Sequence, residues 1–158
     1  MQQIKLHTLF SLLLIANGFN MLSAQESSEV ALKGLLSTKT FVFKAQSAWP
    51  LQGNNIQLTP GYDVKILDDS INAYLPYYGR AYQAGYNSNG GISFTSTKFD
   101  YRLKDNGKKG WELLIKPVDV KDVTQMIYAV STNGYATLQV ISNSRQAISF
   151  YGVIEKSR

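Results

Sequence analysis

Along most of the chain, apolar and polar residues alternate with a period of two. In KFDYRLK (98–104), Phe99, Tyr101 and Leu103 are interleaved with charged residues, the rhythm of a strand with one face in a core. Aromatic and β-branched residues crowd KTFVFKAQ (39–46), and shorter segments of the same character follow at NIQLT (55–59), YDVKIL (62–67), INAYLP (71–76) and GISFTS (91–96). The second half continues with WELLIKPVDV (111–120), TQMIYAVS (124–131), YATLQVIS (135–142) and RQAISFYGVIEK (145–156). Turn formers punctuate these segments: Pro60-Gly61, Asp68-Asp69-Ser70, Asn106-Gly107, Asn133-Gly134 and Ser142-Asn143-Ser144. Asn106-Gly107 predicts a hairpin in which that pair takes the positive φ angles. Only SSEVALKGLLS (27–37) has a helical period, with Ser27 or Ser28 as cap, Glu29 at the positive helix start and Leu32, Leu35 and Leu36 as an apolar stripe. The pattern predicts an all-β fold: an antiparallel meander of eight or nine strands forming a barrel or sandwich, with one N-terminal helix.

Two strands break the one-sided rule. MIYAV and ISFYGVI are apolar on both faces, with Phe150 and Ile154 on one side and Tyr151 and Val153 on the other. A strand apolar on both faces needs cover on both. The expected cover is the helix lying over the last strands; the alternative is a partner bound at that face.

The amino end has the order of a secretory signal peptide: Lys5, the apolar run LFSLLLIA (9–16), then small residues at Ser23 and Ala24 before the polar QESSE. Residues 1–24 are therefore expected to be removed, leaving 25–158 as a single β-rich domain in the periplasm or outside the cell. The apolar run is well below the ~20 residues that span a bilayer. The chain has no cysteine, so neither disulfides nor a lipid-bearing cysteine is expected, and with them no membrane anchor. Lys and Arg number 16 against 11 Asp and Glu, but they are scattered rather than clustered, so no nucleic-acid partner is expected.

His7 is the sole histidine and falls in the signal peptide. A mature chain without His or Cys excludes the usual zinc sites and the Ser-His-Asp and Cys-His nucleophile systems. No cofactor and no metal are expected. Carboxylates are the remaining acid–base groups. Asp68, Asp69, Asp105, Asp119 and Asp122 fall in turns, while Asp63 and Asp100 fall on solvent faces beside Lys65, Lys98 and Arg102. No pair is marked out for glycoside hydrolysis, and neither Asp68-Asp69 nor Asp119/Asp122 carries the run of oxygen ligands that calcium prefers.

The aromatic residues carry more information. Ten tyrosines and two tryptophans are present. Tyr62, Tyr101, Tyr128 and Tyr151 sit at strand spacings and are expected to pack. In LPYYGRAYQAGY (75–86), Tyr77, Tyr78, Tyr82 and Tyr86 break that spacing around Gly79 and Gly85. Exposed rings with polar tips suit sugar or peptide binding. Arg80 lies among them, able to stack on a ring and donate several hydrogen bonds, and is expected to clamp loop carbonyls while at least one of Tyr78, Tyr82 and Tyr86 stays exposed. Arg145 is a second candidate for the same rim. These six residues are the candidate ligand site, and no catalytic residue is assigned.

The order TFVFKAQSAWPLQGNNIQLTPGYDVKI, LPYYGRAYQAGY with GGISF, and SNSRQAISFYGVI resembles the secreted bacterial family catalogued as domain of unknown function 4251 across nearly all of 25–158. LPYYGRAY is its most distinctive stretch. The resemblance implies one exported domain typical of gut and environmental Bacteroidetes, with no assigned activity. The functional expectation is a non-catalytic binding or interaction domain, its partner a carbohydrate, a peptide or an envelope component. The alternatives are a structural envelope protein and, last, a carboxylate-dependent glycosidase.

Overall fold

The computed structural model describes residues 28–80 and 90–157. The expected signal peptide, together with Tyr82 and Tyr86, lies outside the described residues. A helix, α1, covers 28–37. The strands are β1 (Phe41–Pro50), β2 (Ile56–Gln57), β3 (Asp63–Leu67), β4 (Ser70–Leu75), β5 (Ile92–Ser96), β6 (Phe99–Asp105), β7 (Trp111–Pro117), β8 (Val123–Val130), β9 (Tyr135–Ser142) and β10 (Ile148–Lys156).

All these strands join one sheet in the order β5-β4-β3-β1-β10-β9-β8-β7-β6, with the two-residue β2 added beside β1. Every pairing is antiparallel. The two edge strands, β5 and β6, are joined only by Thr97 and Lys98. A flat sheet would hold its edges eight interstrand spacings apart, roughly 38 Å. A two-residue link forces the sheet to curl until its edges nearly meet. The result is a nearly closed barrel with one open seam.

Alternation fills its interior. Val64 and Ile66, Ile71 and Ala73, Leu113 and Ile115, and Ala136 and Leu138 all point inward and are buried, as are Phe41, Phe43 and Phe150 from the central pair of strands. Burying each large aliphatic or aromatic side chain contributes about 1.5–3 kcal/mol. Tyr128 sits among them with edge-on contacts to Phe41 and Phe43.

Helix α1 packs elsewhere than the apolar pattern predicts. Leu32 and Leu36 enter the barrel core, and the Tyr101 hydroxyl on β6 donates to the Leu36 carbonyl at 2.6 Å. Lys33 pairs with Asp105 at 2.9 Å, and Lys39 lies over the Tyr101 ring. The helix thus joins edge strand β6, not the outer face of the last strands. That outer face is covered by its own rings instead: Tyr135 on β9 and Tyr151 on β10 stack at 5.7 Å and 10°.

The β6–β7 hairpin also differs in detail. Its loop contains a single 3-10 turn, Gly107–Lys109, and the positive φ angles fall at Gly107 and Gly110, with Asn106 at −106°. Gly110 is required twice, since a Cβ there would overlap the Val130 carbonyl oxygen.

Candidate functional site

The segment after β4 is tied down by a pair of arginines in unequal roles. Pro76 ends the strand at Leu75, as a ring without an N–H should. Tyr77 then turns inward: it packs on the core, and its single hydroxyl proton is shared between the carbonyls of Arg80 at 2.8 Å and Gln146 at 3.1 Å. The Arg145 guanidinium lies 5.2 Å from the centre of that ring. It also donates to the Gly91 carbonyl at 2.8 Å and pairs with Asp122 at 2.8 Å. Arg145 is thus a clamp joining the segments before β5, before β8 and before β10. Both terminal nitrogens of the guanidinium are thereby engaged inside the molecule.

Arg80, the residue expected to clamp, is exposed. Its backbone does the fastening: Gln146 N–H donates to the Arg80 carbonyl, and Arg80 N–H donates to the Gln146 side chain. Tyr78 is 43% exposed. Of the six residues singled out in the sequence, Tyr77 and Arg145 therefore form one packed cluster and Tyr78 and Arg80 face solvent, while Tyr82 and Tyr86 fall outside the described residues.

The carboxylates nearby are committed to the fold. Burial works to raise the pKa of Asp122, but hydrogen bonds from the Ser142 and Ser144 hydroxyls and the charge and hydrogen bond of Arg145 outweigh it and hold it below the usual carboxylate value. The Ser96 hydroxyl, followed by the Thr97 N–H, likewise depresses Asp119. Asp119 thereby staples the β5–β6 link, beside the bond from Val118 N–H to the Lys98 carbonyl. Among the described residues no three His, Cys, Asp or Glu side chains gather as a metal site would require.

A second region, on the outer face of the barrel, was not singled out by sequence. Strand β1 carries a bulge between Ala45 and Ser47 where it pairs with β10, leaving Gln46 as the extra residue. On its other side β1 pairs first with β3 and then with β2. The chain between those two strands leaves the ladder at Leu58, whose N–H donates to the Gln46 carbonyl, and returns at Tyr62, whose carbonyl accepts from Ala45 N–H. The excursion passes over Pro60 and Gly61, the latter at φ 118°. Beneath it lies a groove of about 620 Å³, lined among others by Lys44, Gln46, Gln57, Leu58, Tyr62 and Val153. Tyr62 stacks on Tyr74 of β4 at 5.5 Å and 21°. Tyr74 is 54% exposed, and across the groove Tyr135 and Tyr151 are 43% and 39% exposed. Tyr74 could have been found, because it is the one large apolar residue at an outward position between inward Ala73 and Leu75. The groove itself depends on a bulge that no periodicity announces.

The architecture, one antiparallel sheet curled into a nearly closed barrel with a helix on its edge strand, defines the structural class. The chain belongs to the family described as Domain of unknown function (DUF4251), whose model matches residues 23–154. The fold is similar to the crystal structure of a DUF4251 family protein from Bacteroides eggerthii DSM 20697. The TM-score is 0.62 at 16% identity, covering 85% of this chain and 91% of that one. No curated protein matches the chain significantly.

Proposed function

We propose that this protein is an exported, non-catalytic binding domain. The order of charge, apolar run and small residues at the amino end supports export. The observation that carries the binding reading is the outer face, where two stacked tyrosine pairs flank a groove: Tyr74, Tyr135 and Tyr151 are 39–54% exposed, and Tyr62, which lines the groove, is partly buried against the core. Isolated exposed rings need no explanation; pairs on both sides of one concavity are the arrangement expected of a ligand surface. The non-catalytic part rests on the carboxylates: Asp119 and Asp122 serve as hydrogen-bond acceptors for the fold, and the sequence places no imidazole or thiol beyond the expected signal peptide.

The second reading, a structural protein of the envelope, draws support from the packed Tyr77–Arg145 cluster, which makes the most distinctive stretch of sequence a fastening. A panel of immobilised glycans and peptides probed with the purified protein separates the two. Retention on at least one class is expected, and uniform absence of binding establishes the structural reading. Cell fractionation tests export, with intact mass beginning near Gln25 as the expected result and a full Met1 start as the contrary one.

A further inference from the structure

We infer that the groove over the β1 bulge is a subsite for a neutral oligosaccharide. This deepens the binding reading above and rests on it. The argument begins with register. On the outer face, Tyr74 pairs with Asp63, Asp63 with Lys44, Lys44 with Val153, and Val153 with Tyr135. One cross-strand row therefore runs from ring to ring over four interstrand spacings, roughly 19 Å. That reach suits a chain of several linked rings better than a single small molecule.

Charge narrows the chemistry. The groove of about 620 Å³ continues into a neighbouring hollow of about 280 Å³, and the two share Lys44, Asp63 and Glu155. Lys65 and Lys156 complete the charged lining, so both signs are interspersed, and Lys44 and Glu155 already pair at 2.9 Å. A polyanion would meet Asp63 and Glu155, and a polycation would meet the lysines. A polyol can use both kinds of group, because each hydroxyl donates and accepts. The amides of Gln46 and Gln57 offer the same duality.

Backbone pairing argues against an extended peptide. Such a ligand binds most readily by adding to an open strand edge. Here β1 lies between β10 and β3, β3 between β1 and β4, and β10 between β9 and β1, and β2, which pairs with β1 alone, is only two residues long, too short an edge to template a strand. What the groove presents is side chains: the Tyr62 ring and the apolar surfaces of Leu58, Pro60 and Val153, with Tyr74 and Tyr135 at the two ends of the cross-strand row. Those match the C–H face of a pyranose ring, with tyrosine offering an apolar body and a polar tip.

Trp49 provides the readout. It is 54% exposed on the same outer face, whereas Trp111 is buried, and its indole N–H donates to Ser47 beside the bulge. The purified protein is titrated with malto-, cello-, xylo-, manno- and chitohexaose, with oligogalacturonate as the anionic probe and a peptide library alongside. At least one neutral hexasaccharide is expected to change Trp49 fluorescence. Tyr74→Ala and Tyr151→Ala should each weaken that binding about tenfold, a factor equivalent to ~1.4 kcal/mol, with a single cooperative melt, lowered only by the few degrees that loss of a stacked ring entails, as proof of folding. Tyr78→Ala should leave it intact. If a probe binds but only Tyr78→Ala or Arg80→Ala weakens it, the groove assignment is overturned while the binding reading stands. Binding of oligogalacturonate or a peptide in the groove, in place of every neutral sugar, overturns the ligand class. Silence from every probe overturns both.

Discussion

At the scale of the residue, the Arg145–Asp122 pair differs from the other ion pairs described. Its side chains are 9% and 30% exposed, against about half for Lys33–Asp105 and Lys44–Glu155. Truncating Arg145 to alanine leaves Asp122 without its counter-charge and the Gly91 carbonyl without its donor. Removing one member of a buried pair costs about 3–5 kcal/mol; the partial exposure of Asp122 places Arg145→Ala at the low end, as a shift in the urea midpoint would measure. Acid should act on the same contact. The Asp122 pKa is lower folded than unfolded, so its stabilisation is present above the unfolded value near 4 and disappears as pH falls through the lower folded value. The stability gap between the natural chain and Asp122→Asn should therefore close on acidification below about pH 4, and a gap constant from pH 7 to pH 3 would contradict this. Tyr128 makes the opposite case. Its hydroxyl is buried without a hydrogen-bond partner among the described residues, and burial, then the neighbouring Tyr101, raises its pKa well above the ordinary value. Tyr128→Phe should be neutral or stabilising by up to about 1–3 kcal/mol, whereas Tyr128→Ala, by opening a cavity, should destabilise by about 3–5 kcal/mol.

At the scale of the element, β1 and β10 are held at contact distance by Gly152. It faces Ala45 across the ladder at the edge of the bulge, and an added Cβ would overlap the Lys44 carbonyl oxygen and press on the Phe43 ring. Gly152→Ala should cost at least about 1–3 kcal/mol and lower the melting temperature by several degrees; an unchanged melt would mean that the two strands separate freely. The strands themselves were legible because alternation is a local property. Phe99, Tyr101 and Leu103 announced β6, Pro76 announced the end of β4, and Leu32 and Leu36 announced the buried stripe of α1. The helix's docking site was not legible, since among the described residues the outer apolar face of β10 meets Tyr135 through the Tyr151 stack and not the helix. Arg80 and Arg145 were both visible as candidates, but their roles depend on which one reaches Asp122 from 23 residues away, and sequence spacing does not encode that. The groove was hidden for a related reason: a bulge is a mismatch between two strands and belongs to neither one alone.

At the scale of the molecule, the open seam should divide the barrel into regions of unequal stability. Strands β1, β10 and β9 have a neighbour on both sides, whereas among the described residues β5 and β6 each have one unpaired edge. Native-state hydrogen exchange should show the slowest amides in the former and markedly faster ones along the seam. Equal protection across the sheet would indicate that something closes it. The central pairing of β1 with β10 carries a consequence for the order of synthesis. A ribosome releases β1 early and β10 last, so β1 must wait for its neighbour while nearly the whole chain is made. Hairpins such as β6–β7 and β8–β9 can close as they emerge, but the sheet has no centre until the final strand arrives. The chain should therefore remain without its full structure throughout translation and complete it in one late, slow step, as non-local pairings require. A nascent chain stalled before Ile148 should be digested by protease at β1, and one released after Lys156 should resist.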